Sequence, residues 1–139
     1  MDIKKHRLEW DAKYSVDVVE IDEQHKKMFA VINDLIETIE NNPTEEKLNG
    51  IIKSLLEYKK FHFETEEKYF KEFNYEGAKE HVAKHLEFGE KLSEIQKNYS
   101  GDTLTFAFKL IDFLEDWLIE HLMDIDQKYK ECFKTHGLK

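Results

Sequence analysis

The 139-residue chain has the length of one ordinary domain, and we expect a single domain over residues 1–139 with one core. Apolar residues make up 40% and charged residues 37%, with only 5 Gly and 1 Pro, which disfavours a turn-rich all-β fold and suits long helices with polar outer faces. Asp and Glu number 30 against 21 Lys and Arg, a formal charge of -9 that repels phosphate backbones and anionic lipid, so neither nucleic acid nor a membrane is an expected partner.

No apolar run approaches the roughly 20 residues that cross a bilayer, and the first residues, Met1 to Asp11, lack the apolar stretch of a secretory signal. The expected location is cytoplasmic. Cys132 has no second thiol with which to form a disulfide, zinc or redox pair, and reads as a bystander.

The pattern predicts an all-α antiparallel up-down-up-down four-helix bundle over about residues 17–133, after an irregular N-terminal arm of about 1–16 that carries Trp10 and Tyr14. In helix one, Ile21, Met28, Phe29, Ile32, Leu35, Ile36 and Ile39 recur at three-and-four spacing, and His25 falls on that stripe. Asn42 is the expected cap of helix two, with Pro43 in its first position and Glu45 placed for a capping box. Its inward positions read Leu48, Ile52, Leu55, Lys59, His62, Glu66, Tyr69 and Phe73, so the stripe turns polar in the middle. Asn74-Tyr75-Glu76-Gly77 offers a turn, and helix three presents Ala78, His81, His85, Phe88, Leu92, Ile95 and Tyr99. After Ser100-Gly101-Asp102, with Asp102 as cap, helix four presents Leu104, Ala107, Ile111, Leu114, Leu118, His121 and Ile125.

Alternating helix directions bring His25, His62, Glu66, His81, His85 and His121 to one level near one end of the bundle. A buried imidazole or carboxylate without a partner costs on the order of 1–3 kcal/mol, and metal coordination relieves that cost for the whole set at once. Residues four apart project from one helix face, so His62 with Glu66, and His81 with His85, reach one small volume. Several imidazoles with carboxylates that can each span two ions suit iron.

The acid from helix four has two candidates. Asp124, three residues beyond His121, lies near its face on an ideal helix, while Asp126, five beyond, is about 140° round. A single π-type turn would bring Asp126 inward instead.

Blander readings stand beside these. One histidine on an apolar stripe is usually a satisfied core residue, and His-x-x-x-Glu is common in so acidic a chain; it is the coincidence at one depth that points to a site. Val82 occupies the place where a His-Glu-x-x-His zinc hydrolase needs its glutamate, and no inward histidine has the Glu three residues before it that ferritin-like carboxylate sites use. His6 and His136 are expected to be solvated, and Lys59 to reach the bundle surface by its flexible stem.

The order His25, His62-x-x-x-Glu66, His81-x-x-x-His85, His121-x-x-x-x-Asp126 resembles the ligand signature of the hemerythrin family in its single-domain bacterial form, over nearly the whole chain. Trp10, Tyr14, Ile21-Asp22-Glu23-Gln24-His25 and Trp117-Leu118 add to the likeness. The resemblance implies two non-haem iron ions, one on His81, His85 and His121 and one on His25 and His62, bridged by an oxo or hydroxo group, Glu66 and Asp126. It implies reversible dioxygen binding at the second ion, with no residue acting as a catalytic acid or base.

By position, Leu118 resembles the family's distal leucine, and Met28, Phe29, Phe63, Trp117 and Leu122 would line an apolar oxygen pocket, although most of these also suit plain core packing. Val16-Asp17-Val18-Val19-Glu20 departs from the family, many of whose members have a Gly in the approach to helix one. Storage, transport or delivery of oxygen to a client enzyme is the first expected role; a di-iron enzyme consuming peroxide or nitric oxide, or an oxygen or redox sensor, is the alternative. Nothing in the pattern specifies an oligomer.

Overall fold

The computed structural model describes residues 7–99 and 101–139; His6 and Ser100 lie outside the described residues. Four long helices account for most of the chain: α1 (Val19–Glu40), α2 (Glu45–Glu72), α3 (Ala78–Lys97) and α4 (Thr103–Glu120), with a short α5 (Lys130–Thr135) closing it. α1 packs on α2 and α4, and α3 on α2 and α4, so chain neighbours are also neighbours in space, the expected antiparallel bundle. No described helix is long and apolar enough to cross a membrane.

The helix ends follow from local chemistry. α1 stops where Asn42 takes a left-handed φ of 71°, which places Pro43 outside any helix. The expected cap at Asn42 is therefore two residues early. Thr44 caps α2 instead, its hydroxyl accepting from the Lys47 amide at 3.2 Å. Asp102 caps α4 as expected, accepting from the Thr105 amide at 3.3 Å and the Thr105 hydroxyl at 2.7 Å.

The inward stripe of α2 starts in the expected register and leaves it. Leu48, Ile52, Leu55, His62 and Glu66 are buried, but Phe70 is buried in place of Tyr69, and Phe73 is half-buried. A strict four-three alternation assumes 3.5 residues per turn, and a straight α-helix drifts from it by about 20° per heptad, so three heptads move the inner face on by one residue. In α4, Phe106 and Ala107 take the inside, whereas Leu104, expected there, is 39% exposed. Lys59 lies between α2 and α3, its ammonium 2.8 Å from where a Cβ on Gly89 would stand.

Two apolar clusters result. The larger fills the bundle, from Ile39 and Leu48 at one end to Met28, Phe63 and Leu122 near the inner histidines. The smaller closes the other side of those histidines with Val16, Val18, Ile21, Phe70, Tyr129 and Phe133. The arm, which includes a 3-10 turn at Ala12–Tyr14, is pinned to α1. The Leu8 amide donates to Asn33 Oδ1 at 2.7 Å, Asn33 Nδ2 donates back to the Leu8 carbonyl at 3.0 Å, and Trp10 and Tyr14 pack on Phe29. Asp17 takes φ 61° in the approach to α1, a left-handed conformation that Asp tolerates better than most residues.

Candidate metal centre

Each helix delivers its inner polar groups from a buried face: His25 from α1, His62 and Glu66 from α2, His81 and His85 from α3. α4 does so by breaking its own geometry. His121–Ile125 is a π-turn, followed by a 3-10 turn at Asp126–Tyr129. The extra residue per turn carries Asp126 inward, where it is fully buried, and leaves Asp124 exposed. The backbone thus turns Asp126, and not Asp124, toward the inner histidines.

The seven residues form two groups that share Glu66. Glu66, His81, His85 and His121 make one, and His25, His62, Glu66 and Asp126 the other; within each, candidate ligand atoms lie within 4.8 Å of one another. Asp126 reaches toward both, with Oδ2 3.1 Å from His25 Nε2, and Oδ1 3.1 Å from His81 Nε2 and 3.0 Å from His121 Nε2.

Three further residues hold this arrangement. Gln24 accepts from His62 Nδ1 at 2.7 Å through its amide oxygen and donates to Thr65 Oγ1 at 3.2 Å. Glu67 accepts from His85 Nδ1 at 2.8 Å. Tyr129, fully buried, donates its hydroxyl to Glu66 Oε2 at 2.6 Å. None of these was singled out from the sequence for a part in the site. Tyr129 and Phe133 do carry a signal, a four-residue apolar spacing after Asp126, whereas Glu67 is one acid among 30 and carries none.

The protonation pattern that follows leaves a deficit of positive charge. An acceptor at Nδ1 fixes the proton there in a neutral imidazole, so the Nε2 lone pairs of His62 and His85 point inward. His85 Nε2 then stands 3.1 Å from Glu66 Oε1, two electron-pair acceptors with no proton between them. Glu66 Oε1, His85 Nε2 and both Asp126 oxygens are buried without a hydrogen-bond partner among the described residues, as are the Nδ1 atoms of His25 and His81. Such a constellation is costly alone and is relieved by a cation at its centre. In the metal-free protein part of that relief comes from protons: burial opposes charge on His81, but the Asp126 and Glu66 carboxylates beside its Nε2 win and raise its pKa to about 9. Burial pushes His62 down to about 4. Burial opposes ionisation of Glu66 and Asp126, as does the Asp126 charge for Glu66, yet the surrounding histidines hold both carboxyls well below the usual carboxylate range.

Aromatic faces seal the imidazoles. Phe63 stacks on His85 at 3.7 Å between centroids, and half-buried Trp117 stacks on His121 at 4.3 Å. Met28, Phe29, Leu118 and Leu122 are buried in the same cluster as Phe63. The Phe29 ring meets those of Trp10 and Tyr14 in the arm.

The sequence profile of the Hemerythrin HHE cation binding domain matches residues 16–133, which span all seven inner polar residues. The chain belongs to the hemerythrin family. It is 28% identical to a bacteriohemerythrin of Clostridium acetobutylicum over 124 residues, covering 86% of this chain and 96% of that one. It is 32% identical to one of the hemerythrin subunits of Sipunculus nudus over 125 residues, covering 87% and 89%. A crystal structure of a mutant protein, 23% identical, matches the fold with a TM-score of 0.77 over 90% of this chain and 95% of that one.

Proposed function

We propose that this hemerythrin-family chain is a single-domain cytoplasmic protein that binds dioxygen reversibly at a non-haem di-iron centre, for storage, transport or delivery to an oxygen-consuming client enzyme. The observation that carries the reading is the buried, unpartnered set of His85 Nε2, Glu66 Oε1 and both Asp126 oxygens, spread over two adjoining groups of candidate ligand atoms, which leaves positive charge wanting in each. His81, His85 and His121 would hold one iron and His25 and His62 the other, with Glu66 and Asp126 shared between them. Imidazole with bridging carboxylate is a donor set suited to iron. Relatives named as hemerythrins, such as that of Sipunculus nudus, support the choice of dioxygen as ligand.

A bound ferrous pair would supply the two electrons that dioxygen borrows and returns. The chain's own part is to position and to exclude. Gln24 and Glu67 keep lone pairs of His62 and His85 pointed inward, and Tyr129 holds one oxygen of Glu66 so that the other faces His62, His81 and His85. Phe63, Leu118, Leu122 and Trp117 keep water and its protons from the centre, which favours return of oxygen over its loss as reduced species. No residue need act as acid or base, so the reading is of a binding protein and not an enzyme.

The test is iron analysis with optical spectra through repeated oxygenation. Two irons per chain and restoration of the starting spectrum after each cycle are expected. Irreversible oxidation in the first cycle overturns the carrier reading.

A further inference from the structure

The two groups of inner residues lean on the rest of the protein through different chemistry. In the group Glu66, His81, His85 and His121, the outward nitrogen of His85 meets a carboxylate, Glu67 Oε2, at 2.8 Å. In the group His25, His62, Glu66 and Asp126, the outward nitrogen of His62 meets a neutral amide, Gln24 Oε1, at 2.7 Å. The outward Nδ1 atoms of His25 and His81 are buried without a hydrogen-bond partner among the described residues. A carboxylate behind an imidazole pulls its N–H proton toward itself and pushes electron density onto the opposite nitrogen; an amide does so far less. The two hydrogen bonds are nearly equal in length, so what distinguishes them is the charge of the acceptor.

Glu67 stands at the border between the site and solvent. Its side chain is 39% exposed, so the carboxylate stays hydrated on one side while its Oε2 grips His85, whose own side chain is 4% exposed. Phe63, lying flat on the His85 ring at 3.7 Å and 5°, fixes the ring plane, and the hydrogen bond to Glu67 fixes its rotation within that plane.

We propose that Glu67 is a positioning residue that strengthens metal binding in one half of the centre only, the half formed by Glu66, His81, His85 and His121, and so widens the difference that the unequal donor sets already make between the two metal positions. This rests on the two-metal reading above. It goes beyond it in assigning part of the inequality to a residue outside both groups of candidate ligands. Loss of the carboxylate weakens the His85 half by roughly 10- to 100-fold, the range over which hydrogen-bonded partners of metal-binding histidines act.

The experiment is zinc titration of the metal-free protein against a chromophoric chelator, in two backgrounds that isolate the halves. His25→Ala leaves the His85 half, and His121→Ala leaves the His62 half. Adding Glu67→Gln, which keeps the size and the acceptor but removes the charge, is expected to weaken zinc binding roughly 10- to 100-fold in the His25→Ala background and less than about 3-fold in the His121→Ala background. Circular dichroism of each double variant checks that the helices persist, and Glu67→Ala provides a second substitution at the same partly exposed position. Equal effects in the two backgrounds, or no effect in either, overturn the role of Glu67 while leaving the two-metal reading intact. Failure of the unaltered protein to take up two ions overturns both.

Discussion

The two ends of the bundle are built from the same four helices on opposite terms. At the end where α1 meets α2, Ile32, Leu35, Ile36, Ile39, Leu48 and Leu55 are at most 2% exposed and need nothing beyond one another. At the other end, Glu66 and Asp126 are completely buried among five histidines, and the order of the region depends on partners for charge. The first is held by area removed from water and the second by electrostatic complementarity, so each should respond to a different perturbation.

The largest effect is expected at the dry end. Leu110→Ala removes a fully buried side chain and should destabilise the protein by about 2–5 kcal/mol in urea unfolding, with and without metal alike. A loss that depended on metal would mean that the two ends are not separable. Metal removal should act next, lowering stability by about 2.7 kcal/mol relative to protein with free ion at 100-fold its Kd, read as a fall in Tm.

The metal-free protein should also acquire its own pH dependence. His81, raised to about 9, contributes stability that is complete below its ordinary value near 6.5 and is lost as pH climbs toward 9. His62, lowered to about 4, contributes stability that is complete above 6.5 and lost as pH falls toward 4. Loading metal at pH 7 should therefore expel the His81 proton, measurable as acid released in weakly buffered solution.

Tyr129→Phe sharpens the comparison with one atom. It strips Glu66 Oε2 of its donor and should cost about 1–3 kcal/mol in the metal-free protein, read by urea unfolding; a neutral result would show that Glu66 does not depend on that hydroxyl. The smallest effect belongs to Thr44→Ala, which removes the α2 cap at the dry end and should cost about 1 kcal/mol whatever the metal content, read as an equal small shift in urea midpoint with and without metal.

The bundle was legible because its helices carry apolar stripes of one period, and six of the seven inner polar residues because they sit on those stripes. Asp126 was not legible from period alone, since a π-turn is a local exception to the rule that period expresses; only the resemblance selected it. Tyr69 and Phe73 misled because a 3.5-residue repeat was carried over three heptads of a straight helix. Gln24 and Glu67 are not legible because a hydrogen bond at a histidine's far side leaves no trace in spacing, whereas Tyr129 shows only as an apolar spacing with Phe133 that says nothing of its hydroxyl. Asn42 carries the stronger cap pattern, with Pro43 and Glu45 after it, but its left-handed backbone ends α1, and Thr44 is left to begin α2.

The π-turn has a consequence for everything after it. On an uninterrupted helix Asp126, Tyr129 and Phe133 would stand about 140°, 80° and 120° round from His121; absorbing one residue brings all three to within about 40° of it. The acid, the tyrosine that steadies Glu66, and the aromatic plug that closes the end of the centre are thus geared together by one added residue. Inserting a single residue between Leu122 and Ile125 would turn the whole tail like a key, withdrawing all three from the centre in one motion, whereas deleting one would let an ordinary α-turn present the same three groups.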